Sequence, residues 1–418
     1  MSDSHARPDT LDDWLSRQLA AHPTEIELGL TRVARVADAL DVRRPAAQSL
    51  VIGGTNGKGS CVALASGLIG PRARVGCYTS PHLWRYNERV TIDGQPVSDG
   101  ALVDAFEAIE AARGDTSLTF FEWGTLAALW LFKRHAVDVA VLEVGLGGRL
   151  DAVNIVDADV ALVVSIGLDH TDWLGDTREA IGAEKAGIFR RDRAALCGER
   201  DRPASLAAQA HAHGARFESI GDDFDITASG DTWQIRAGDW RLDVAAPLAV
   251  YADNLAASVV AVRRLGFDIT ADDVARSALA QQRLPGRREW QATRPAIVYD
   301  VGHNAAAIEL LAQDLADRAF DAVHLVIGML ADKPVEAISA RLAEQVDCWY
   351  PVDLSEVTPR GLTAEALAGR LGLGSGRPIY GSPAAGLAAA RASAGAADCV
   401  VVCGSFYTVA QLRDRKHE

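Results

Sequence analysis

The segment Ser49-Leu-Val-Ile-Gly-Gly-Thr-Asn-Gly-Lys-Gly-Ser60 and the apolar run that follows it, Cys61 to Ile69, decide how this chain begins to fold. Residues 49–53 are mostly apolar and predict a buried strand, whereas the run after the glycines has the spacing of a helix. A strand, a glycine-rich turn and a helix in this order are typical of an α/β domain. Backbone N–H groups of such a turn can surround phosphate oxygens at the positive end of the helix, and Lys58 adds a charge. The turn is therefore predicted to bind phosphate.

The spacing of this turn differs from the common phosphate-binding pattern G-x-x-x-x-G-K-[ST]. Gly59 follows the lysine, and the hydroxyl comes one residue later, at Ser60. The alternative is a tight turn between strand and helix that binds nothing. A tight turn alone does not require a lysine between two glycines, so the phosphate-binding interpretation is favoured.

Apolar runs with the character of strands alternate with helical patterns along the chain. Their near-continuous apolar character favours a parallel sheet covered by helices on both faces. In the first part of the chain these further strands are predicted at 75–79, 137–144 and 159–166. Residues 215–247 alternate in polarity and predict a small antiparallel addition at the edge of this domain. After a Pro-Gly break at Arg283–Arg288 the α/β pattern resumes, so we predict a P-loop-type parallel-sheet domain over 1–284 and a smaller, Rossmann-like α/β domain over 285–418.

The charge balance restricts what this protein can bind. Its 418 residues carry a formal net charge of −14, which argues against non-specific binding to nucleic acid or to an anionic membrane. The N-terminal sequence has no basic segment followed by an apolar run, and no stretch reaches the roughly 18 apolar residues of a membrane span. We therefore expect a cytoplasmic protein with no nucleic-acid or membrane partner. The six cysteines form no C-x-x-C pair and are interpreted as small hydrophobic residues.

Polar side chains follow several predicted strands, at the edge where ligands of open α/β sheets bind. Ser80 lies in Tyr78-Thr-Ser-Pro-His-Leu83, directly after a strand, and its hydroxyl could bind Mg²⁺. Glu143 ends another apolar strand, where an unpaired carboxylate would be costly to bury and a metal ion would satisfy it. His170 follows a third strand and is a candidate ligand, and Lys185 lies in the segment after it, Ile181–Ile188.

Each of these residues also has an ordinary structural explanation. The Ser-Pro pair is common in turns, His170 could be a turn residue, and Lys185 could be a solvated charge on a helix. The glycines between positions 145 and 148 could suggest a dinucleotide-binding loop, but their spacing is wrong for one. Considered singly, these residues leave both explanations open.

In the second domain, Tyr299-Asp-Val-Gly-His-Asn304 repeats the pattern of polar groups directly after a strand. Asp300 and His303 at such an edge could hold a ribose, a phosphate or an amino-acid substrate. The alternative is that the segment serves as a helix cap formed by Asn304. The local sequence does not decide between the two.

Taken in order, these motifs resemble the folylpolyglutamate synthase family, relatives of the Mur-type peptidoglycan ligases. The resemblance extends from Trp14 to about Val409. It rests on ten segments, which are 26–30, the GTNGKGS loop at 54–60, TSPHL at 79–83, 118–125, 142–160, LDHTDWLG at 168–175, EKAGIF at 184–189, LPGR at 284–287, DVGHN at 300–304 and 403–407. The fold that this family implies is an ATPase domain followed by a glutamate-ligase domain.

The resemblance implies an ATP-dependent ligase that joins L-glutamate to a carboxylate. The acceptors would be 7,8-dihydropteroate, giving dihydrofolate, and reduced folates, giving polyglutamates, each through an acyl phosphate formed from ATP. The alternatives are a monofunctional folylpolyglutamate synthase and, less favoured, another Mur-type amino-acid ligase. A non-catalytic nucleotide-binding module would be expected to lose one or more of Glu143, His170 and Lys185, and all three are present. The protein is expected to act as a monomer on small-molecule substrates.

The resemblance also implies roles for individual residues. The ATP site would contain Gly57, Lys58, Gly59, Ser60, Asn254, Arg287 and Asp300. Ser80 and Glu143 would hold one Mg²⁺, and Glu143, His170 and Lys185 would hold a second. Lys185 would carry a carbamate formed from CO₂. The pterin pocket would contain Glu25, Ile26, Glu27, Leu28, Thr119, Phe120, Phe121, Glu122, Leu150, Asp151 and Ala152. The catalytic groups would be Lys58, Lys185 and His303, and glutamate would be seated by His303 and Ser405.

Lys58 provides the first test of the phosphate-binding interpretation. The substitution Lys58→Ala is expected to lower activity by a factor of about 10² or more, because it removes one strong donor to the charge that develops on phosphate oxygens. The loop holds phosphate and does not pack a core, so the protein should stay folded. Steady-state ADP release at varied ATP measures the loss, and circular dichroism monitors folding. Unchanged kcat and ATP KM would remove this loop from the mechanism.

Overall fold

The computed structural model describes residues 8–22, 24, 27–245, 250–374 and 376–413. The predicted pterin residues Glu25 and Ile26 lie outside the described residues. The chain divides into two compact units, one within residues 1–281 and one within 282–418. The functional roles assigned to the two parts stay predictions.

The first unit is built on an eight-stranded sheet with the order β4-β3-β2-β5-β1-β6-β7-β8. Strands β3 and β4 form an antiparallel edge, and the other neighbours in the sheet run parallel. The strands are β1 (Gln48–Gly53), β2 (Val75–Tyr78), β3 (Val90–Ile92), β4 (Gln95–Pro96), β5 (Val139–Glu143), β6 (Val160–Val163), β7 (Ala194–Cys197) and β8 (Arg216–Ser219). The predicted parallel sheet is therefore confirmed, and its antiparallel edge is an addition that apolar runs alone did not indicate.

Both faces of this sheet are buried, which explains the continuous apolar strands. Along β1, Val51 joins one hydrophobic cluster, while Leu50 and Ile52 join the cluster on the opposite face. Such alternation is the period-2 geometry of a strand with both faces covered. The helices of this unit are α1 (Leu11–Ala21), α2 (Thr31–Ala39), α3 (Lys58–Ile69), α4 (Asp99–Arg113), α5 (Phe120–Arg134), α6 (Thr171–Leu174), α7 (Arg178–Ala186), α8 (Ala204–His213), α9 (Ala252–Arg264) and α10 (Ala271–Gln282), with short 3₁₀ helices at Tyr86–Arg89 and Ala152–Ile155.

The predicted antiparallel addition is present but begins later than expected. A three-stranded sheet consists of β9 (Phe224–Ser229), β10 (Thr232–Ala237) and β11 (Trp240–Ala245). Both of its pairings are antiparallel. The prediction was wrong for residues 216–219, which form β8 and pair parallel to β7 at the edge of the large sheet. Alternating polarity marks a half-exposed strand but does not say which sheet it joins.

The second unit contains a five-stranded sheet with the order β12-β13-β16-β14-β15. Only β12 is antiparallel to its neighbour. The strands are β12 (Glu289–Gln291), β13 (Ala296–Tyr299), β14 (Val323–Ile327), β15 (Cys348–Pro351) and β16 (Cys399–Cys403). The helices are α11 (Ala305–Ala316), α12 (Val335–Leu342), α13 (Ala364–Arg370), α14 (Pro383–Ser393) and α15 (Phe406–Leu412). The second α/β domain is thus confirmed.

The cysteines lie mostly in the interiors of the two units. Five of the six cysteines are buried and Cys348 is half-buried, each with a free thiol.

Among the helices in the described part of the chain, none combines the length and the hydropathy that a membrane crossing requires.

Gly76 in β2 lies against the fully buried ring of Phe132. A Cβ added at Gly76 would be 2.5 Å from Phe132 Cδ1. We expect Gly76→Ala to lower the free energy of unfolding by about 1–3 kcal/mol, the usual cost of overpacking a core. Denaturant unfolding followed by tryptophan fluorescence measures the change.

Gly100 in α4 offers a matched control, because a Cβ added there meets no atom within 4 Å. Alanine is preferred to glycine in a helix, so Gly100→Ala should be neutral or stabilising. If Gly76→Ala were as stable as Gly100→Ala, the packing of Phe132 against β2 would not be tight.

Candidate active site

The glycine-rich turn after β1 has the backbone of a phosphate-binding loop. Gly57 adopts a left-handed conformation with φ 81°, and α3 begins at the next residue, Lys58. A Cβ at Gly57 would lie 2.8 Å from Asn254 Nδ2. Gly54 also has positive φ, and a Cβ there would lie 3.2 Å from the backbone nitrogen of Ser165. Only glycine fits at these two positions, and the turn exposes the N-terminus of a twelve-residue helix.

Hydrogen bonds from the segment after β6 hold this loop in place. Thr55 N–H donates to the Ser165 carbonyl at 2.8 Å, and Asn56 N–H donates to Ser165 Oγ at 2.9 Å. Ser165 Oγ in turn donates to the Asn56 carbonyl at 3.0 Å, and Gly167 N–H donates to Thr55 Oγ1 at 3.0 Å. The loop is therefore fixed by its neighbour before any ligand binds, which lowers the entropic cost of binding.

Lys58 lies over the loop that precedes it. Its Nζ donates to the carbonyl oxygens of Gly54 at 3.1 Å and Thr55 at 3.3 Å. Both acceptors are neutral carbonyl groups, so the charge of the ammonium is not paired by these contacts and could bind an anion.

Glu143 is the last residue of β5 and is only 4% exposed. Its Oε2 accepts a hydrogen bond from Ser80 N–H at 3.1 Å. The same oxygen lies 3.7 Å from the position of a Cβ on Gly59, in the phosphate-binding loop. Ser80, Glu143 and the loop were predicted from three separate motifs, and the order β2-β5-β1 brings them together.

Lys185 on α7 is 2% exposed. The pKa of its amine is lowered to about 7, mainly by burial and also by the positive charge of Lys58, against the opposing effect of Asp169 and Asp151. Burial disfavours the charged form of an amine, and a neighbouring cation acts in the same direction. Lys185 is therefore neither the solvated charge considered above nor a fully protonated lysine at neutral pH.

Asp151 is a buried carboxylate close to both lysines. Burial raises the pKa of Asp151 to about 6, although hydrogen bonds from backbone N–H groups and the charge of Lys58 oppose the rise. The Leu146 and Val153 N–H groups donate to its two oxygens at 2.8 Å and 2.9 Å. These bonds fix the carboxylate within the glycine-containing loop after β5.

The glycines of that loop allow close packing and do not form a dinucleotide-binding turn. A Cβ on Gly145 would be 2.5 Å from Phe121, and a Cβ on Gly148 would be 2.9 Å from the Lys185 carbonyl. Arg149 also pairs with Glu184 at 2.7 Å. The loop thus joins α5, which carries predicted pterin residues, to α7, which carries the buried lysine.

His170 is exposed and has a left-handed backbone with φ 52°. Its N–H donates to Asp169 Oδ1 at 2.9 Å. The start of this loop is held at Ile166, whose N–H donates to Glu199 at 3.1 Å and whose carbonyl accepts from Arg178 at 2.9 Å. No group of three or more His, Cys, Asp and Glu side chains with metal-binding geometry occurs among the described residues.

Several predicted pterin residues also stabilise the local fold. Thr119 and Glu122 form the capping box of α5, with Glu122 Oε2 accepting from Thr119 N–H at 2.7 Å. Glu122 also pairs with Arg32 on α2 at 3.0 Å. The Gly29 N–H donates to the Leu150 carbonyl at 3.3 Å. These contacts bring the predicted segments at Leu28, 119–122 and 150–152 into one region without testing what they bind.

A cleft of 330 Å³ opens beside these residues. It is lined by Glu27, Leu28, Gly29, Thr31, Arg32, Arg35 and Thr116. The two arginines lie on α2 and were not singled out in the sequence interpretation. Arg32 and Arg35 are three residues apart on a helix and follow a predicted pterin segment directly. This spacing places both side chains on one face of the helix and could have indicated that they line the cleft.

In the second unit the predicted residues meet at the ends of β13 and β16. Asp300 accepts N–H bonds from Gly302 at 2.7 Å and Arg288 at 3.0 Å, and burial raises its pKa. Arg287 lies over the ring of Phe406, 4.7 Å from its centroid.

The remaining predicted residues of this unit include two helix caps. His303 lies 6.1 Å from Phe406 between ring centroids, and its Nδ1 donates to the Val301 carbonyl at 2.8 Å. Ser405 Oγ accepts from Thr408 N–H and caps α15, while Asn304 caps α11. The cap considered for Asn304 is therefore confirmed, and His303 and Asp300 remain candidates for binding.

Comparisons with known proteins agree with this architecture. Residues 286–406 match the family described as Mur ligase, glutamate ligase domain. Over 406 residues the chain is 44% identical to the dihydrofolate synthase/folylpolyglutamate synthase of Escherichia coli strain K12, covering 97% of this chain and 95% of that protein.

Solved structures show the same similarity. The structure of E. coli FolC in complex with DHPP and ADP is 44% identical, with a TM-score of 0.92 over 97% of both chains. A bifunctional folylpolyglutamate synthase/dihydrofolate synthase with Mn, AMPPNP and L-glutamate bound is 42% identical, with a TM-score of 0.90 over 98% of both chains. Because sequence and fold agree over nearly the full length, the chain belongs to the dihydrofolate synthase/folylpolyglutamate synthase family of the Mur ligase superfamily.

Proposed function

We propose that this protein is an ATP-dependent ligase that adds L-glutamate to 7,8-dihydropteroate, forming dihydrofolate, and to reduced folates, forming polyglutamates. The main support for this proposal is the arrangement of charged groups around the phosphate-binding loop. The phosphate-binding loop and the buried carboxylate of Glu143 lie side by side at one edge of the large sheet, and the buried amine of Lys185 is within electrostatic range of Lys58 in that loop. Ligation of two substrates at the expense of ATP requires this combination of phosphate binding and charge neutralisation.

The relatives support the choice of substrates. A relative with 44% identity was solved with DHPP and ADP, and another with AMPPNP, Mn and L-glutamate. By this likeness, the ligands of the present chain would be ATP, a divalent metal, a pterin-containing acceptor and glutamate.

The residues present fit a magnesium site. Glu143 supplies a buried carboxylate next to the phosphate-binding loop, and Ser80 supplies a hydroxyl on the adjacent segment. Mg²⁺ prefers oxygen ligands and commonly takes one or two from the protein and the others from phosphates and water. Ser80 and Glu143 would hold one ion, and Glu143, His170 and carbamylated Lys185 would hold a second. The ions would neutralise charge on the phosphate oxygens during transfer.

The chain's own residues would then position the reacting groups. The acceptor carboxylate attacks the γ-phosphate of ATP, which gives an acyl phosphate and ADP, and the glutamate amine displaces phosphate from it. Lys58 and the N–H groups of the loop stabilise the negative charge on the phosphate oxygens. Asn254 touches the loop at Gly57, where it would contact ATP, and Arg287 and Asp300 would add contacts to the nucleotide. His303 and Ser405 would orient glutamate.

The low pKa of Lys185 supports its carbamylation. CO₂ adds only to a neutral amine, and a pKa of about 7 leaves a substantial neutral fraction at neutral pH. The carbamate would present two oxygens in place of an ammonium that Mg²⁺ would repel. The fraction of neutral amine grows as pH rises through 7, so carbamylation should be favoured at pH 8 over pH 6.

The choice of acceptor is tested by ADP release that depends on glutamate. Activity is expected with dihydropteroate and with a reduced folate in separate assays, because the loop that leads to the predicted pterin residues 150–152 packs against α7, which carries Lys185. Omission of glutamate is the control for ATP hydrolysis. Turnover with the reduced folate alone would reduce the function to a monofunctional folylpolyglutamate synthase.

Lys185 is tested by a pair of substitutions. Arginine cannot form a carbamate and keeps its charge, so Lys185→Arg should lose nearly all activity. Lys185→Ala should also be impaired, but formate or acetate in the assay should partly restore turnover by entering the vacated space. Depletion of CO₂ should lower wild-type activity, and bicarbonate should restore it.

Lys133 is a suitable control lysine because its side chain is 41% exposed. Lys133→Arg should keep full activity and should respond to bicarbonate as the wild type does. Turnover of Lys185→Arg close to that of Lys133→Arg would overturn the carbamate and leave Lys185 as an electrostatic contact.

A further inference from the structure

Arg89, at the end of the 3₁₀ helix Tyr86–Arg89 before β3, is a buried cation that the proposed reaction does not use. It is only 8% exposed. Among the described residues, no carboxylate lies within ion-pairing distance of its guanidinium, whereas most arginines of this unit pair with Asp or Glu. Buried charges in proteins are normally paired, because removing a charge from water is costly.

The groups around Arg89 hold it without neutralising it. Its Nε donates to His82 Nδ1 at 2.8 Å, so this imidazole nitrogen acts as a neutral acceptor. The rings of Tyr86 and Phe120 lie beneath the guanidinium, with centroids 5.3 Å and 5.5 Å away. Aromatic faces attract a cation but carry no net charge. These contacts fix the orientation of the Arg89 guanidinium, but within the described part of the chain they provide no negative charge to pair with it.

The position of Arg89 relates it to the candidate active site. The Arg89 carbonyl accepts from Thr79 N–H at 2.9 Å, and the next residue, Ser80, bonds to Glu143. Phe120, which contacts the guanidinium, is one of the predicted pterin residues. An anion bound by Arg89 would therefore be part of the acceptor substrate.

The two acceptors differ in the number of carboxylates they carry. Dihydropteroate has one, which must react with the γ-phosphate of ATP. A reduced folate ends in a glutamyl group with an α-carboxylate and a γ-carboxylate, and only the γ-carboxylate reacts. An enzyme that uses both acceptors therefore needs a cation for the α-carboxylate only when the acceptor is a folate.

We infer that Arg89 binds the non-reacting α-carboxylate of the terminal glutamate of reduced folates, and that it thereby determines specificity for polyglutamylation over dihydrofolate formation. This inference rests on the proposed function. A charge-assisted hydrogen bond of this kind, fixed in a buried site, contributes to binding of the folate and places its γ-carboxylate at the reaction point.

The substitution Arg89→Met tests the inference, since methionine keeps the apolar stem against the two rings. Compared with the wild type, kcat/KM should fall about 10- to 100-fold more with the reduced folate than with dihydropteroate. The larger part of the loss should be in KM for the folate. Arg89→Lys, which keeps the charge but not the forked geometry, should recover part of the folate activity.

Arg134 provides the matched control, because it also lies over an aromatic ring, 4.9 Å from the centroid of Trp130, but is exposed. Arg134→Met should leave the ratio of the two activities unchanged. A purely structural role for Arg89 would lower both activities by the same factor, and that result would overturn the inference.

A substrate analogue keeps the test decisive even if Arg89→Met folds poorly. In the wild-type enzyme, a reduced folate whose terminal α-carboxylate is replaced by a carboxamide should show a KM raised about 10-fold or more. In Arg89→Met or Arg89→Lys the same replacement should matter less. Equal KM values for acid and amide in the wild type would refute the inference. Activity of the wild type with both natural acceptors is measured independently, so failure here is distinguishable from failure of the proposed function.

Discussion

The parallel pairing of β5 between β1 and β2 is the constraint on which the candidate site depends. The register places Ile52 opposite Glu143 and Tyr78 opposite Leu142. Since parallel strands end at the same edge of a sheet, the loop after β1, the segment after β2 and the carboxylate at the end of β5 must lie side by side. Any change in this register by one residue would turn Glu143 to the other face and into a helix-covered hydrophobic cluster.

Burial then sets the chemistry of the charged groups at this edge. The pKa of Lys185 falls to about 7 and that of Asp151 rises to about 6, and in both cases the largest cause is removal from water. The same protein interior that makes the fold stable therefore moves both groups toward their uncharged forms near neutral pH. Close packing at Gly145 and Gly148 fixes the loop between α5 and α7.

The second unit also carries its candidate binding residues directly after the ends of parallel strands. Polar groups again follow parallel strands, and backbone N–H groups fix the carboxylate of Asp300. Several of its polar side chains are committed to the fold, as shown by Ser405 and Asn304, which cap helices. A helix cap can still present its backbone or a second lone pair to a ligand, so structural and binding roles are compatible in these residues.

The sequence by itself determined the α/β class, the loop at Gly57 and Lys58, and the family, because these depend on local periodicity and on motifs contiguous in the chain. Tertiary structure decided which sheet residues 216–219 join, that Lys185 is buried within electrostatic range of Lys58, and that Arg89 is enclosed with no carboxylate partner in the part of the chain that the structure describes. The physical reason is that solvent exposure and electrostatic environment come from residues far apart in sequence. The sequence shows that a residue is a lysine or an arginine, but not whether water or a hydrophobic core surrounds its side chain.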